Sequence, residues 1–183
     1  KAIHASDVFR KPLEQLTIFD GDPVARLELP GLAKRKNWLA LHPGSGSESK
    51  NWPEKNWREL VAYLLDHSPL NLLVIGGEAE GNRLQRLANG MPPERLEIAQ
   101  HIPLPELAPR LAKCAGYVGH DTGMTHLAAA LGLPTLVLWG PSNETIWRPL
   151  GEKVRLLNQH SDLAALPLET VLKAINALKL EQL

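Results

Sequence analysis

Short apolar runs alternate along this chain with longer segments in which apolar residues recur every three or four positions. The runs are four or five residues long, as is typical of strands that are buried on both faces of a sheet. They lie at 38–41, 71–75, 95–98, 114–118, 135–139 and 154–157. Helical spacing occurs at 57–65, 79–87, 104–114 and 127–131, and in a last helix that carries Leu168, Val171, Leu172, Ile175 and Leu178. This alternation predicts an α/β fold with a Rossmann-like, doubly wound parallel sheet.

Residues 1–36 lack this alternation. A polar pair at 6–7 predicts the cap of a short helix that Pro12 interrupts, and a brief apolar–polar alternation follows at 25–29. The segment contains too few apolar side chains for a core of its own. We therefore predict that it is a linker or the tail of a missing N-terminal domain, and that 37–183 form one domain.

Composition narrows the class of protein. The chain has 183 residues, of which 44% are apolar, with 20 basic and 20 acidic side chains. Neither its net charge nor any basic run favours nucleic acid, and no apolar run approaches the roughly 20 residues of a membrane span. The lone cysteine, Cys114, excludes an internal disulfide or a zinc site built from several thiolates, and we expect it to be a small buried apolar residue. Because the sequence begins at Lys1, we expect it to be part of a longer protein.

The most informative stretch is 119–132, which follows the apolar run 114–118 directly. Small and polar residues mark the point where the strand should end and a helix begin, namely Asp121, Thr122, Gly123, Thr125 and His126. The free N–H groups and partial positive charge of a helix N terminus favour phosphate. The alternative is that Asp121 only caps the helix and His126 only satisfies a polar position in the core.

The first predicted strand, at 38–41, is followed by the loop 44–50, which is rich in glycine and serine and ends at Lys50. It is not a dinucleotide-binding fingerprint, because Ser49 occupies the position of the third glycine. Nor is it a P-loop, because Lys50 lacks the preceding glycine and the following serine or threonine. Its N–H groups, hydroxyls and cation nevertheless suit a phosphate or pyrophosphate. The alternative is an exposed lysine in a surface loop, but two such strand ends in one sheet favour a shared ligand.

Three weaker signals lie near the ends of predicted strands. A glycine pair precedes Glu78 and Glu80, whose carboxylates could accept hydrogen bonds from a ribose or a base, or could only favour a first helical turn. Ile102 could form an apolar wall for a base or merely pack. His120 could contact a ligand or satisfy a polar position in the core. The residues alone leave these alternatives open.

Together these motifs resemble those of glycosyltransferase family 9, the heptosyltransferases of lipopolysaccharide core synthesis and their relatives. The resemblance covers about residues 37–150, in the order and spacing of the family. The matching segments are 42–46 with 50–53, 76–78, 121–132, and 140–142 with 147–149. The resemblance implies a GT-B enzyme, in which two Rossmann-like domains face a cleft. This chain resembles the C-terminal domain, which binds the nucleotide-sugar donor.

The resemblance also implies roles for particular residues. Those expected at the donor diphosphate are Ser45, Gly46 and Lys50, and Lys50 would also stabilise the leaving diphosphate. Those expected at the nucleoside are Glu80, in preference to Glu78, and Ile102. Those expected at the pyrophosphate and the donor sugar are Asp121, Thr122, Gly123 and His126.

The chemistry implied by the resemblance is inverting transfer of a heptose from ADP-heptose to a lipopolysaccharide core acceptor, with no metal ion and no other cofactor. The family's general base is an aspartate of the N-terminal domain, which 1–36 do not resemble, so we expect this chain alone to be inactive. The implied location is cytoplasmic, and peripheral association with the inner face of the inner membrane would come through the missing domain.

Two other classes of protein compete with this interpretation. The first is a non-catalytic nucleotide-binding or regulatory module of the same fold. The second is a Rossmann oxidoreductase, which the absent fingerprint disfavours. One departure from the family is that many relatives carry asparagine where His120 stands.

Overall fold

The computed structural model describes residues 2–159, 162–178 and 180. In this part of the chain, six parallel strands form one sheet. They are Arg35–His42 (β1), Asn71–Gly76 (β2), Leu96–Gln100 (β3), Cys114–His120 (β4), Thr135–Trp139 (β5) and Val154–Asn158 (β6). Their order in the sheet is β3-β2-β1-β4-β5-β6, which confirms the predicted Rossmann-like, doubly wound fold.

Helices cover both faces of the sheet. They are Ala5–Arg10 (α1), Glu54–His67 (α2), Arg83–Ala88 (α3), Leu104–Ala112 (α4), Gly123–Ala130 (α5), Glu144–Trp147 (α6) and Leu168–Ala177 (α7). Buried side chains of α2, α3 and α7 pack on one face, and those of α4 and α5 pack on the other. This two-sided burial explains why the central strands are apolar throughout. Within the described residues, no helix has the length and apolar character needed to cross a membrane.

The strand order reverses direction between β1 and β4. The chain builds outward from β1 through β2 and β3, then crosses back and builds the other way from β4 to β6. At the carboxyl ends of the central pair, Leu41 lies beside Val118 and His42 beside Gly119. The connections leave this point on opposite faces of the sheet, and such a switch point opens the crevice in which doubly wound sheets bind ligands.

One predicted helix is wrong in its extent. The segment 79–87 is divided into a 3₁₀ turn at Glu78–Glu80 and α3, which begins only at Arg83. Between them Gly81 has φ of +49°, in the left-handed region that interrupts a right-handed helix. Glu80 lies directly before this break, and its side chain is buried.

The N-terminal segment begins with α1, which is capped by the ring of His4 and not by the predicted pair at 6–7. The ring accepts a hydrogen bond from the Ser6 N–H at 3.2 Å. After α1 the chain continues as a 3₁₀ helix that starts at Lys11, because Pro12 cannot continue the α-helical hydrogen bonds. Residues 2–34 contribute no fully buried side chain, and the largest exposed apolar side chains include Phe9, at 72%.

The alternation at 25–29 forms no strand, contrary to the pattern. The Leu27 N–H instead donates to the carbonyl of Ala130, at the end of α5, over 2.8 Å. Regular structure resumes at Arg35, two residues before the predicted boundary at 37. The division of the chain into a linker and a domain stays a prediction.

Cys114 opens β4, as the apolar run 114–118 predicted, and the preceding helix stops at Ala112, two residues before its predicted end. Its side chain is buried, and its thiol faces the carbonyl of Arg110 at 3.6 Å. Burial raises the pKa of this thiol to about 12. The prediction that Cys114 is a small buried apolar residue is confirmed.

Candidate functional site

A cavity of about 860 Å³ opens at the carboxyl ends of β1 and β2, beside the start of α5. Its size is typical of a site for a small organic ligand, and it lies at the switch point of the sheet. The predicted site residues that line it are Ser45, Gly46, Glu78, Glu80, Ile102, Thr122 and Gly123. Lys50 and Asp121 are not among the lining residues but pair with each other next to Thr122, and His126 lies elsewhere, as described below.

The N terminus of α5 faces this cavity. Thr122 is the N-cap residue, and in the described part of the chain the N–H groups of Gly123 and Met124 donate to no other protein group. Within the same residues, the N–H of Gly46, across the cavity, is also without an acceptor. Free N–H groups combined with a helix dipole form an anion-binding site.

Lys50 supplies a cation beside that helix terminus. It ends a 3₁₀ turn, and its Nζ lies 3.1 Å from Oδ2 of Asp121, the residue directly before Thr122. Because Thr122 is the N-cap and the Asp121 carboxylate pairs with Lys50, the alternative in which Asp121 only caps the helix is wrong. The lysine side chain is 36% exposed, and such ion pairs stabilise a fold by only about 0–1 kcal/mol. A ligand anion can therefore compete for the ammonium group.

Glu80 is a buried carboxylate in the wall of the cavity. One of its oxygens accepts the N–H of Gly77, and the other lies 3.9 Å from Nε2 of His42. The carboxylate also lies against Gly44, which leaves room for it only because glycine has no side chain. Glu78, by contrast, is exposed at the rim. Glu80 can therefore present a fixed acceptor to a ligand, and Glu78 a mobile one.

Replacing Gly44 with alanine should destabilise the fold, because the new Cβ would lie 1.9 Å from Oε1 of Glu80 and 2.6 Å from its Cδ. Overpacking of this kind costs about 1–3 kcal/mol of unfolding free energy, measurable by urea denaturation. Gly46→Ala is the matched control, since its Cβ meets no atom within 4 Å. In Gly44→Ala/Glu80→Ala the loss should largely disappear, and a full loss in that double variant would refute the clash.

The remaining wall of the cavity is apolar. It is formed by side chains such as Ile75, Ile102, Leu107 and Met124. Ile102 packs against the core and also lines the cavity, and its contact with a base stays a prediction. A cavity that combines an apolar wall with free N–H groups matches a ligand with a flat ring and an anionic group.

His120 is a structural residue. Its buried Nε2 accepts the backbone N–H of Trp52 at 2.8 Å, and its Nδ1 lies 3.4 Å from the carbonyl oxygen of Gly44. Burial lowers the pKa of this imidazole to about 3. These contacts hold the loop after β1 from its inner side. Of the two roles that the sequence left open, His120 therefore satisfies a polar position in the core and does not contact a ligand. The nearby Thr125 hydroxyl is buried too and donates to the His120 carbonyl, so it does not face the cavity.

His126 does not face the cavity, although its place in the first turn of α5 predicts that it does. It is exposed and lines a separate hollow of about 300 Å³, together with His4, Trp147 and Arg148. The direction of α5 turns this position away from the carboxyl end of β1. Its contact with the donor stays a prediction.

The sequence analysis missed His42 as a site residue. His42 ends β1, is 7% exposed and lines the cavity between Glu80 and Thr122. The signal that would have found it is its place as the first polar residue after the apolar run 38–41, at a strand end like that before Asp121.

A parallel sheet in this order, with a cavity and an anion-attracting helix terminus at its switch point, defines a Rossmann-like ligand-binding domain. Residues 9–172 match the family model described as glycosyltransferase family 9 (heptosyltransferase). The chain therefore belongs to this family, as its motifs predicted.

Relatives and solved structures agree with this assignment. The chain is 39% identical over 106 residues to lipopolysaccharide heptosyltransferase 1 of Pseudomonas aeruginosa, covering 58% of this chain and 29% of that protein. It is 25% identical over 189 residues to lipopolysaccharide heptosyltransferase 2 of Escherichia coli K12, covering 92% of this chain and 54% of that protein. It therefore spans only about one third to one half of the length of these relatives.

Two solved structures have the same fold. The structure of E. coli heptosyltransferase WaaC with ADP superposes with a TM-score of 0.72 at 27% identity, covering 82% of this chain and 46% of that one. A family 9 glycosyltransferase from Veillonella parvula gives a TM-score of 0.84 at 22% identity, covering 100% and 62%. The likeness to the second protein concerns the fold alone. The sheet of this chain is thus that of a GT-B heptosyltransferase domain.

Proposed function

We propose that this chain is the donor-binding, C-terminal part of a glycosyltransferase that transfers heptose from ADP-heptose to a lipopolysaccharide core acceptor. In this proposal the transfer is inverting and independent of metal ions. The observation that carries it is the cavity at the switch point, which combines an apolar wall with free N–H groups. The solved structure of WaaC with ADP supports the choice of nucleotide.

Each part of a nucleoside diphosphate has a matching part of the cavity. The adenine would lie on the apolar wall that includes Ile102, and the ribose hydroxyls would donate to Glu80 or Glu78. The diphosphate would accept hydrogen bonds from the N–H groups of Gly46 and Gly123. This arrangement directs the donor sugar toward the open side of the cavity, beside Asp121.

In the reaction, negative charge grows on the diphosphate as the bond to the sugar breaks. Lys50 and the α5 N terminus would stabilise this charge, because both are positive and fixed before the reaction begins. The Lys50 ammonium would exchange its pairing with Asp121 for a phosphate oxygen. Asp121 would then be free to accept a hydroxyl of the donor sugar. The general base that activates the acceptor would be an aspartate of a preceding domain.

The proposed enzyme would act in the cytoplasm, where nucleotide sugars are consumed. Its contact with the inner face of the inner membrane, and with the lipopolysaccharide acceptor, would come through that preceding domain. The family's role in lipopolysaccharide core synthesis supports the acceptor class.

The isolated chain is expected to bind ADP and ADP-sugars weakly and to show no transferase activity. Isothermal titration calorimetry with ADP, UDP and GDP measures the choice of base, and an ADP-release assay with a lipopolysaccharide core acceptor measures turnover. Robust turnover by this chain alone would disprove the proposal that a preceding domain must supply the general base. If a longer protein that includes a preceding domain bound ADP-heptose without transferring it, the non-catalytic module would be the better description.

A further inference from the structure

His42 links the two polar parts of the cavity. Its Nε2 lies 3.9 Å from Oε1 of Glu80, and its Nδ1 lies 3.4 Å from the hydroxyl oxygen of Thr122. The contact with Thr122 is a long hydrogen bond, and the contact with Glu80 is about 1 Å too long to be one. Both distances can shorten when a ligand closes the site. A carboxylate, an imidazole and a hydroxyl therefore stand in a row along the floor of the cavity.

The protonation state of His42 decides where the Thr122 hydroxyl can point. In a neutral imidazole that donates Nε2–H to the Glu80 carboxylate, Nδ1 is an acceptor, and the Thr122 hydroxyl must donate to it. In an imidazolium both nitrogens donate, so that Nδ1–H is given to the Thr122 oxygen. The hydroxyl proton of Thr122 is then free to be donated into the cavity.

We propose that His42 is a positioning residue that takes up one proton from solvent when a diphosphate binds, and so aims the Thr122 hydroxyl at a phosphate oxygen. This inference rests on the proposed function, since it concerns the same cavity. It assigns to His42 no contact with the sugar and no part in bond breaking. The proton is returned to solvent when the diphosphate leaves.

The groups around His42 favour such a switch. Glu80 faces it from the turn after β2, His120 faces it from β4, and Thr122 precedes α5. Lys50 and Asp121, the residue before Thr122, form an ion pair with no net charge. Burial lowers the pKa of His42, and the charge of Glu80 opposes that effect. Before a ligand binds, His42 is therefore a neutral imidazole near pH 7, and two phosphate charges added beside Thr122 shift the balance toward the imidazolium.

Calorimetry can count the proton directly. ADP-glucose is the probe, because both of its phosphates are diesters and do not titrate near neutral pH. Titrations at pH 7 in PIPES and in Tris, which differ in ionisation enthalpy, should show net uptake of up to one proton per ADP-glucose bound. Adenosine should bind without uptake. Affinity for ADP-glucose should rise by up to about tenfold per pH unit as the pH falls from 8 to 6.

His42→Asn should abolish the uptake and the pH dependence, because an amide can partner Thr122 but does not titrate. The distant, exposed His67→Gln is the matched control and should keep the uptake. His126→Gln tests the competing assignment, in which His126 is the group that titrates, and it should keep the uptake as well. Histidine ring NMR of the wild-type chain gives a second measurement that needs no variant. The His42 ring should change from neutral to charged when ADP-glucose is added at pH 7.

The possible failures are distinct. ADP-glucose binding without proton uptake, or a His42 ring that stays neutral in the complex, would overturn the role of His42 and leave the proposed function standing. Uptake that persists in His42→Asn, or that vanishes in His126→Gln, would overturn it as well. Failure of the wild-type chain to bind either ADP or ADP-glucose would overturn the proposed function and this inference together.

Discussion

Replacing Lys50 with alanine should weaken binding of ADP by roughly ten- to hundredfold, while adenosine binding changes little. A hydrogen bond from a charged donor contributes about 1.5–3 kcal/mol, which corresponds to that range of affinity. The loss should fall near the upper end, because the variant also leaves the Asp121 carboxylate unpaired beside the diphosphate. Calorimetric titration of both ligands into both proteins measures the difference.

Two further variants make this experiment specific. Lys55→Ala removes a lysine whose side chain is 83% exposed on α2, and it should bind ADP as the wild type does. In Lys50→Ala/Asp121→Asn the repulsive carboxylate is neutralised as well, so part of the lost affinity should return. If Lys50→Ala weakened adenosine and ADP equally, the loop after β1 would have collapsed, or Lys50 would not contact phosphate.

Acidification should destabilise the wild-type chain much more than the variant His120→Asn. Burial lowers the pKa of His120 in the folded chain from its ordinary value of 6.5 to about 3. Between these values the unfolded chain binds a proton that the folded chain refuses, so the free energy of unfolding falls as the pH falls. One such histidine contributes up to about 1.4 kcal/mol per pH unit within this window, and it contributes no pH dependence above it.

Urea denaturation at pH 7, 6, 5 and 4 measures this slope. Asparagine can still accept the Trp52 N–H through its amide oxygen, but it cannot take up a proton, so its stability curve should be flatter. The buried His42 is present in both proteins and cancels in the comparison. His67→Asn, which alters an exposed histidine, should reproduce the wild-type curve. Parallel curves for the wild type and His120→Asn would contradict the assigned role of His120.

Much of the fold could be predicted from the sequence, because burial on both faces of a parallel sheet gives each central strand an uninterrupted apolar run. β2 and β5 are the clearest cases, with every residue but Asn71 fully buried. The start of β1 could not be predicted in this way. Arg35 is charged, and it joins the strand through a backbone hydrogen bond to Lys113 and an ion pair with Glu97. Both partners are distant in the sequence.

The division of 79–87 also has a cause that the local pattern does not contain. The apolar spacing there is helical, but Glu80 turns inward to accept the Gly77 N–H and to pack against Gly44. That contact depends on the neighbouring strand β1. A local periodicity predicts which residues are buried, and it does not predict a turn that a buried carboxylate imposes.

The candidate site was partly predictable for a related reason. Polar residues at the ends of apolar strands meet at one edge of a parallel sheet, so the grouping of Ser45, Glu80 and Thr122 follows from the topology. The pairing of Lys50 with Asp121, 71 positions apart, needs the strand order as well. The direction in which His126 points depends on the angle between β4 and α5, and that angle cannot be read from the sequence.

Because Cys114 is buried, a thiol-reactive dye should label an introduced cysteine without labelling the native one. It is the one cysteine of the sequence, and a thiol with a pKa near 12 stays protonated and unreactive toward maleimides at neutral pH. A cysteine introduced at Gly46, where a new side chain meets no atom within 4 Å, would therefore carry a fluorophore alone. Such a dye would sit at the rim of the cavity and report the arrival of a nucleotide in real time, with no native residue removed from the core.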